Sequence, residues 1–208
     1  MENPEGVVPQ EKTDIGGGEL TLPEFYDTVK TLNQTIPVDY YLPGCPPPPN
    51  LVMDAVTAIL KGELPEKGAV LAPAKALCDV CPRAEAKPDK LSIAEIKRPY
   101  EIKMDPEQCF LAQGIICMGP ATRSGCGETC IKANMPCRGC FGPVEGVVDQ
   151  GAKALSMIAS ILGLDGEEKM TDEEVEKLIE GIADPAGTVY RFSLASSLLR
   201  RKRMEQEV

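Results

Sequence analysis

Residues 109–140 read CFLAQGIICMGPATRSGCGETCIKANMPCRGC, six cysteines threaded through glycine, proline and short polar stretches. Neither an alternating pattern nor a 3.6-residue apolar period runs through this stretch, so no long strand or amphipathic helix is predicted for it. Upstream, Cys78 and Cys81 form CDVC, and Cys45 stands alone in LPGCPPPP, which completes the nine cysteines. Residues 63 to 143 thus hold eight cysteines and nine prolines. A span this long without clear elements does not pack as an ordinary domain unless bound metal organises it. Little apolar core is expected there, so loss of the metal is expected to unfold the region.

The spacing points to thiolate chemistry. A C-x2-C pair such as Cys78/Cys81 or Cys137/Cys140 lets two sulfurs meet one centre while intervening amides face them. The glycines at 114, 119, 125, 127 and 139 are expected to permit close backbone approach. Four thiolates can hold zinc or an iron-sulfur cluster, and spacing alone leaves both open. Eight thiols wrapped in long Gly/Pro loops suit the bulkier cubanes better than a zinc knuckle. The bacterial ferredoxin run C-x2-C-x2-C-x3-C-P is absent. An odd thiol count and a reducing compartment both oppose a disulfide scaffold. Taken singly, Cys45 at a strand end reads first as a small buried hydrophobe.

Composition removes several function classes. The 208 residues include no histidine and no tryptophan, and aromatics make up 4%. Mixed Cys-His zinc fingers, Ser-His-Asp and Cys-His catalysis and imidazole proton shuttles are therefore excluded. A formal charge of -10 and a pI near 4.7 argue against a nucleic-acid partner. The longest apolar tract, Ala154 to Leu164, is too short to span a membrane. The start, MENPEGVVPQEKTD, has no apolar h-region, so a cytoplasmic protein is expected.

The flanks are more regular. Residues 1 to 20, with Pro4, Pro9 and Gly16-Gly17-Gly18, read as a loosely draped arm. Leu22, Phe25, Val29 and Leu32 fit one face of a helix with Thr21 as N-cap. VDYYLPG reads as a short strand, and NLVMDAVTAILKG as a helix with Asn50 as cap and Gly62 past its end. Such an α/β fragment cannot bury both faces of a sheet by itself. Towards the carboxy end, Val144, Val147, Val148, Leu155, Ile158, Ile161 and Leu162 predict an amphipathic helix stopping at Gly163. Thr171 and Glu174 form a capping box for another helix carrying Val175, Leu178, Ile179 and Ile182. The terminal RFSLASSLLRRKR gathers Arg191, Arg200, Arg201, Lys202 and Arg203, read as a solvated basic helix end, with docking to an acidic partner as the rival.

Four motifs in one order, LPGCPPPP, CDVCPR, CFLAQGIICMGPATRSGCGETC and MPCRGCFGPVEG, resemble the small, electron-transferring subunit of nickel-iron hydrogenases. The likeness is to the cytoplasmic, methyl-viologen-reducing (F420-non-reducing) type of methanogens and to the delta subunit of sulfhydrogenases. It covers nearly all of the chain beyond the first twenty residues. The resemblance implies an α/β fold joined to an irregular iron-sulfur domain. Residues 1–62 would be the carboxyl part of a three-layer, flavodoxin-like domain, 63–143 a loop-rich two-cluster domain, and 144–208 a helical region packing on it.

In that family the PGCPP cysteine is a ligand of the proximal 4Fe-4S cluster, a role that falls to Cys45. Cys78, Cys81, Cys109 and Cys117 would hold a distal 4Fe-4S cluster, and Cys126, Cys130, Cys137 and Cys140 a medial one. Periplasmic relatives use histidine at the first distal position and three cysteines at the medial site. Here Cys78 and the extra Cys130 imply two full cubanes of low potential. The amino-terminal half of the family pattern, with the other proximal ligands, is not represented, so a second polypeptide or a longer chain is expected to supply it. No catalytic residue is expected in this chain.

The implied partners are a nickel-iron large subunit and a downstream acceptor such as a 2Fe-2S subunit, heterodisulfide reductase or flavin subunit. Two rivals differ in class. One is an iron-sulfur adaptor in a heterodisulfide-reductase or formate-dehydrogenase assembly without nickel-iron chemistry; the other is a zinc-stabilised interaction module.

Overall fold

The structure is a computed structural model that describes residues 11–23, 28–93, 95–162, 171–182 and 184–200. The chain forms two units, Met1–Lys30 and Thr31–Val208. In the first, strands β1 (Lys12–Asp14) and β2 (Glu19–Thr21) pair antiparallel, Lys12 opposite Thr21 and Asp14 opposite Glu19. Asp14 Oδ1 accepts the Gly16 amide at 2.9 Å, and the Ile15 amide reaches the Gly18 carbonyl at 3.1 Å. The glycine run therefore closes a hairpin, with Gly16 at φ 74°. This corrects the expected helix over residues 21 to 32. Thr21 ends a strand instead of capping a helix, and residues 28–31 are not helical. Phe25 lies outside the described residues, as do residues 1–10.

In the second unit, the expected VDYYLPG strand is reduced to a single parallel bridge between Tyr41 and Val70. Its hydrogen bonds run from the Tyr41 amide to the Ala69 carbonyl at 3.0 Å and from the Leu71 amide to the Tyr41 carbonyl at 2.8 Å. Parallel pairing needs a crossover, and helix α1 (Pro49–Lys61) lies between the paired segments in the chain. Its first helical residue is Pro49, whose missing amide costs nothing there, so the cap is Pro48 and not Asn50. It stops as expected at Gly62, φ 70°. The Glu63 amide bonds the Ala58 carbonyl and the Gly62 amide the Ile59 carbonyl, a Schellman closure. Of α1, only Leu51 is buried, while Met53, Val56, Ile59 and Leu60 are exposed.

The core corrects a second expectation. Leu77, Ile93, Phe110, Leu111, Ile115, Met118, Ala121 and Ile131 all lie between residues 63 and 143, and all are buried in one cluster with Ala154, Ile158, Leu162, Ile182, Val189 and Tyr190. The loop-rich region thus supplies much of the apolar core. Its regular structure is brief: 3-10 turns at Leu77–Val80, Leu111–Gln113 and Gly119–Ala121, and the short helix α2 (Thr129–Lys132). Helices α3 (Gln150–Ile161), α4 (Asp172–Glu180) and α5 (Pro185–Val189) follow.

Helix α3 starts later than its apolar pattern suggests. Pro143 and Gly146, the latter at φ 76°, interrupt Val144–Val148, and Val148 is exposed. Asp149 is the N-cap, its Oδ1 accepting the Ala152 amide at 2.9 Å. The same carboxylate's Oδ2 accepts the Leu198 amide at 2.9 Å and so ties the carboxy-terminal turns to α3. Gly163 lies outside the described residues. Residues 194–200 form two 3-10 turns, and 201–203 of the basic tail are outside the described set. Among the described residues, no helix is long and apolar enough to cross a membrane.

The start of α3 can be tested by substitution. Asp149→Ala removes a cap and strands the Leu198 amide, and is expected to cost about 1–3 kcal/mol, read as a lowered denaturant midpoint. Asp149→Asn should retain most of that. Gly151→Ala improves helix propensity by roughly 1 kcal/mol, yet a Cβ at Gly151 would fall on the buried Tyr190 ring. Overpacking outweighs propensity there, so the variant is expected to melt lower than the unsubstituted protein.

Candidate metal centre

The nine thiols are all unpaired and gather around two cavities. Around the first, of about 20 Å³, stand Cys78, Cys81, Cys109 and Cys117, with Arg83 and the apolar Leu77, Phe110, Leu111 and Ile131. Around the second, of about 550 Å³, stand Cys45, Cys126, Cys130, Cys137 and Cys140, with Pro46–Pro49, Phe141 and Phe192. The first is enclosed by side chains of the core. The second is more open, because Cys45 and Cys130 are exposed. Cys45 is thus not the buried hydrophobe expected of a lone cysteine.

Short-range bonds fix the first set. Cys78 sits in the Leu77–Val80 turn and Cys81 caps it. Asp79 Oδ2 accepts the Ala76 amide at 3.0 Å, and the Leu77 amide reaches the Thr122 carbonyl at 2.8 Å, which holds this turn beside the segment after Cys117. Sulfur also receives amide hydrogens, from Arg83 to Cys81 Sγ at 3.4 Å and from Cys137 to Cys117 Sγ at 3.3 Å. Gly119 is needed at its place, since a Cβ there would lie 3.1 Å from Cys78 Sγ and 3.6 Å from Cys117 Sγ.

The remaining glycines divide their work differently from what spacing implies. Gly114 packs under the Glu95 carbonyl, Gly125 against Pro73 and Phe141, and Gly139 beside the Gln150 amide and Met118; none of these brings backbone onto a sulfur by its missing Cβ. Gln150 is buried and its Nε2 donates to the Gly139 carbonyl at 3.0 Å and to Thr122 Oγ1 at 3.2 Å, which anchors the CRGC loop to α3.

Burial governs the electrostatics. It pushes Cys78 up to about 12, helped by the neighbouring Cys81. It also pushes Cys117 up to about 12 against the opposing amides of Gly119 and Cys137, and Cys137 up to about 12 with Cys117 adding to the shift. Cys140 is raised too, first by burial and then by Cys130, Cys126 and Cys45. Without metal these sites hold neutral thiols, because several thiolates out of water repel one another. A polycationic core reverses that balance and ionises them.

The donor set fits such a core: sulfur only, amides aimed at sulfur, and a glycine cradle that a Cβ would fill. Among the described residues, no three Cys, Asp or Glu side chains are drawn together closely enough to hold one metal ion. Cys137 has a place that spacing does not foretell. Its thiol lines the second cavity while its amide serves Cys117 of the first. Arg83, at the end of CDVCPR, is a further site residue that motif reasoning passes over; nothing in one sequence marks an arginine as buried.

No protein-family model matches the chain. It is 41% identical over 205 residues to the F420-non-reducing hydrogenase iron-sulfur subunit of Archaeoglobus profundus, covering 97% of this chain and 61% of that protein. Identity to the like-named subunit of the F420-non-reducing hydrogenase of Methanothermobacter marburgensis is also 41%, over 201 residues, covering 96% of this chain and 59% of the relative. The chain therefore spans about three-fifths of the length of these two relatives. The like-named subunit from Methanothermus fervidus is 46% identical over 117 residues, 55% of this chain and 89% of the relative. On these matches, the chain belongs to the family of the F420-non-reducing hydrogenase iron-sulfur subunit.

Proposed function

We propose that this chain is the cluster-bearing part of the electron-transfer subunit of a nickel-iron hydrogenase. In this reading Cys78, Cys81, Cys109 and Cys117 hold the distal 4Fe-4S cluster, and Cys126, Cys130, Cys137 and Cys140 the medial one. Cys45 gives one ligand to a proximal cluster whose other ligands lie outside the chain. The observation that carries the reading is the sorting of eight thiols around two cavities, with Cys45 lining the second. The family relationship supports it, since the Archaeoglobus relative is described as an iron-sulfur subunit.

The clusters would supply one-electron carriage. This chain's residues do the rest. Cysteines fix the positions of the centres, the amides of Arg83 and Cys137 stabilise charge on sulfur, and Phe110, Leu111 and Ile131 keep water from the first set. No acid, base or nucleophile of this chain is assigned to hydrogen activation, which belongs in this proposal to a nickel-iron large subunit. A partner or further chain completes the flavodoxin-like domain, and electrons pass on to an acceptor such as a 2Fe-2S, heterodisulfide-reductase or flavin subunit. The site of action is the cytoplasm.

Iron and acid-labile sulfide analysis of anaerobically purified protein, with EPR, tests the assignment. About eight irons and as many sulfides are expected on the two complete sets. Zinc without sulfide would sink it in favour of an interaction module, whereas clusters in a complex lacking nickel would favour an adaptor subunit. Cys109→Ser and Cys126→Ser are expected to remove different EPR signals.

The buried thiols also call for a pH experiment. In the cluster-free protein Cys78, Cys117 and Cys137 titrate near 12, against 9.0 for an ordinary cysteine. Between these values the unfolded chain has released protons that the folded chain still holds, so folding stability falls as pH rises above about 9. The denaturant midpoint of cluster-free protein should therefore decline from about pH 9 upward, while cluster-loaded protein, its thiolates already ionised, should show no such decline in that window.

A further inference from the structure

Arg83 is a buried cation without a carboxylate. Only 5% of it is exposed, yet its guanidinium meets neutral acceptors alone: Nη1 donates to the carbonyls of Asp105 at 3.2 Å and Gln108 at 3.0 Å, and Nη2 to the Ile131 carbonyl at 3.4 Å and Asn134 Oδ1 at 2.8 Å. The group lies over Phe110, 4.0 Å from the ring centroid. None of the ion pairs among the described residues includes it. A guanidinium keeps its charge at every pH a protein ordinarily meets, and removing one from water without a counter-charge is expensive.

The compensation is on the other side of the group. Arg83 lines the cavity of Cys78, Cys81, Cys109 and Cys117, and its own amide donates to Cys81 Sγ at 3.4 Å. We infer that the Arg83 guanidinium is the fixed counter-charge of the cluster held by these four cysteines and sets its reduction potential. This rests on the reading of that set as an iron-sulfur site. Four thiolates give such a cluster a net negative charge. Reduction adds one electron from the upstream donor, makes the cluster one unit more negative, and neither forms nor breaks a bond. A cation locked nearby in low-dielectric surroundings stabilises the reduced state more than the oxidised one. The four hydrogen bonds and the Phe110 face hold it there, so little reorganisation accompanies electron arrival. Arg83 is thus a positioning residue for charge and touches no reacting bond.

The test is a dithionite-poised redox titration followed by EPR, on the hydrogenase complex with its full-length subunit, comparing the unsubstituted protein with Arg83→Gln and Arg83→Lys. Iron and sulfide are measured in each. In Arg83→Gln the signal lost on substituting Cys109 is expected to shift to lower potential. The reduced-to-oxidised ratio should fall roughly tenfold or more at fixed ambient potential, about 59 mV for a one-electron couple, with the other signals unmoved. Arg83→Lys, which keeps the charge, should remain near the original potential. If Arg83→Gln fails to retain the cluster, retention at the original potential by Arg83→Lys still supports the inference. An unshifted Arg83→Gln, a lowered potential in Arg83→Lys, or loss of the cluster from both variants would overturn it. Absence of iron and sulfide from the unsubstituted protein would instead overturn the cluster reading itself.

Discussion

Thiolates survive out of water only where cations or N–H groups face them, and this requirement shapes the chain from Cys45 to Cys140. A regular helix or strand spends its amides on its own carbonyls and has few left for sulfur. Irregular backbone has them to spare. The 3-10 turns at 77–80 and 119–121, the glycine at 119 and the loop around Cys137 free amides for Cys81 and Cys117. The fold is loop-rich here because its polar groups have work outside the backbone ladder. Apolar packing still encloses them, with Leu77, Phe110, Ile115 and Met118 buried around and behind the sulfurs.

The chemistry is far more legible in the sequence than the packing is. Cysteine is conspicuous and its spacing is local information, so both gatherings of thiols can be read from the order of residues alone. Helix ends set by backbone chemistry are partly legible as well: Gly62 marks the end of α1, while its start belongs to the prolines before Asn50. Reading fails where an apolar pattern fits more than one structure. Leu22, Val29 and Leu32 have helical spacing, yet all are exposed and Thr21 belongs to a hairpin built on Asp14 and the glycines. Val144–Val148 has the pattern of a helix start, but Gly146 and the Asp149 cap set the boundary of α3 further on. The core within residues 77–131 is illegible because its members come from turns and follow no period. Arg83 is hidden for the same reason, since its burial depends on carbonyls contributed by residues 105, 108 and 131.

One face of the second unit is unfinished. Helix α1 exposes Met53, Val56, Ile59 and Leu60, and the parallel pairing at its flank is a single bridge. Water against four such side chains is costly at roughly 25 cal/mol per Å², and a lone parallel bridge has little cooperative strength. The chain spans only about three-fifths of the two relatives it matches over nearly its whole length. In the proposed flavodoxin-like domain, the remaining strands and helices would cover this face.

Cys137 reaches both thiol sets, its sulfur in one and its amide on Cys117 in the other, while the Met118 amide bonds its carbonyl at 2.9 Å. The two sets consequently share a wall and are not independent modules strung on a chain. Energies of substitutions at the two sets will not simply add, because a backbone shift at residue 137 is felt at 117 and 118. Evolution could not readily retune, enlarge or delete one set while leaving its neighbour untouched, and an engineered exchange of ligands at either set is a change to both.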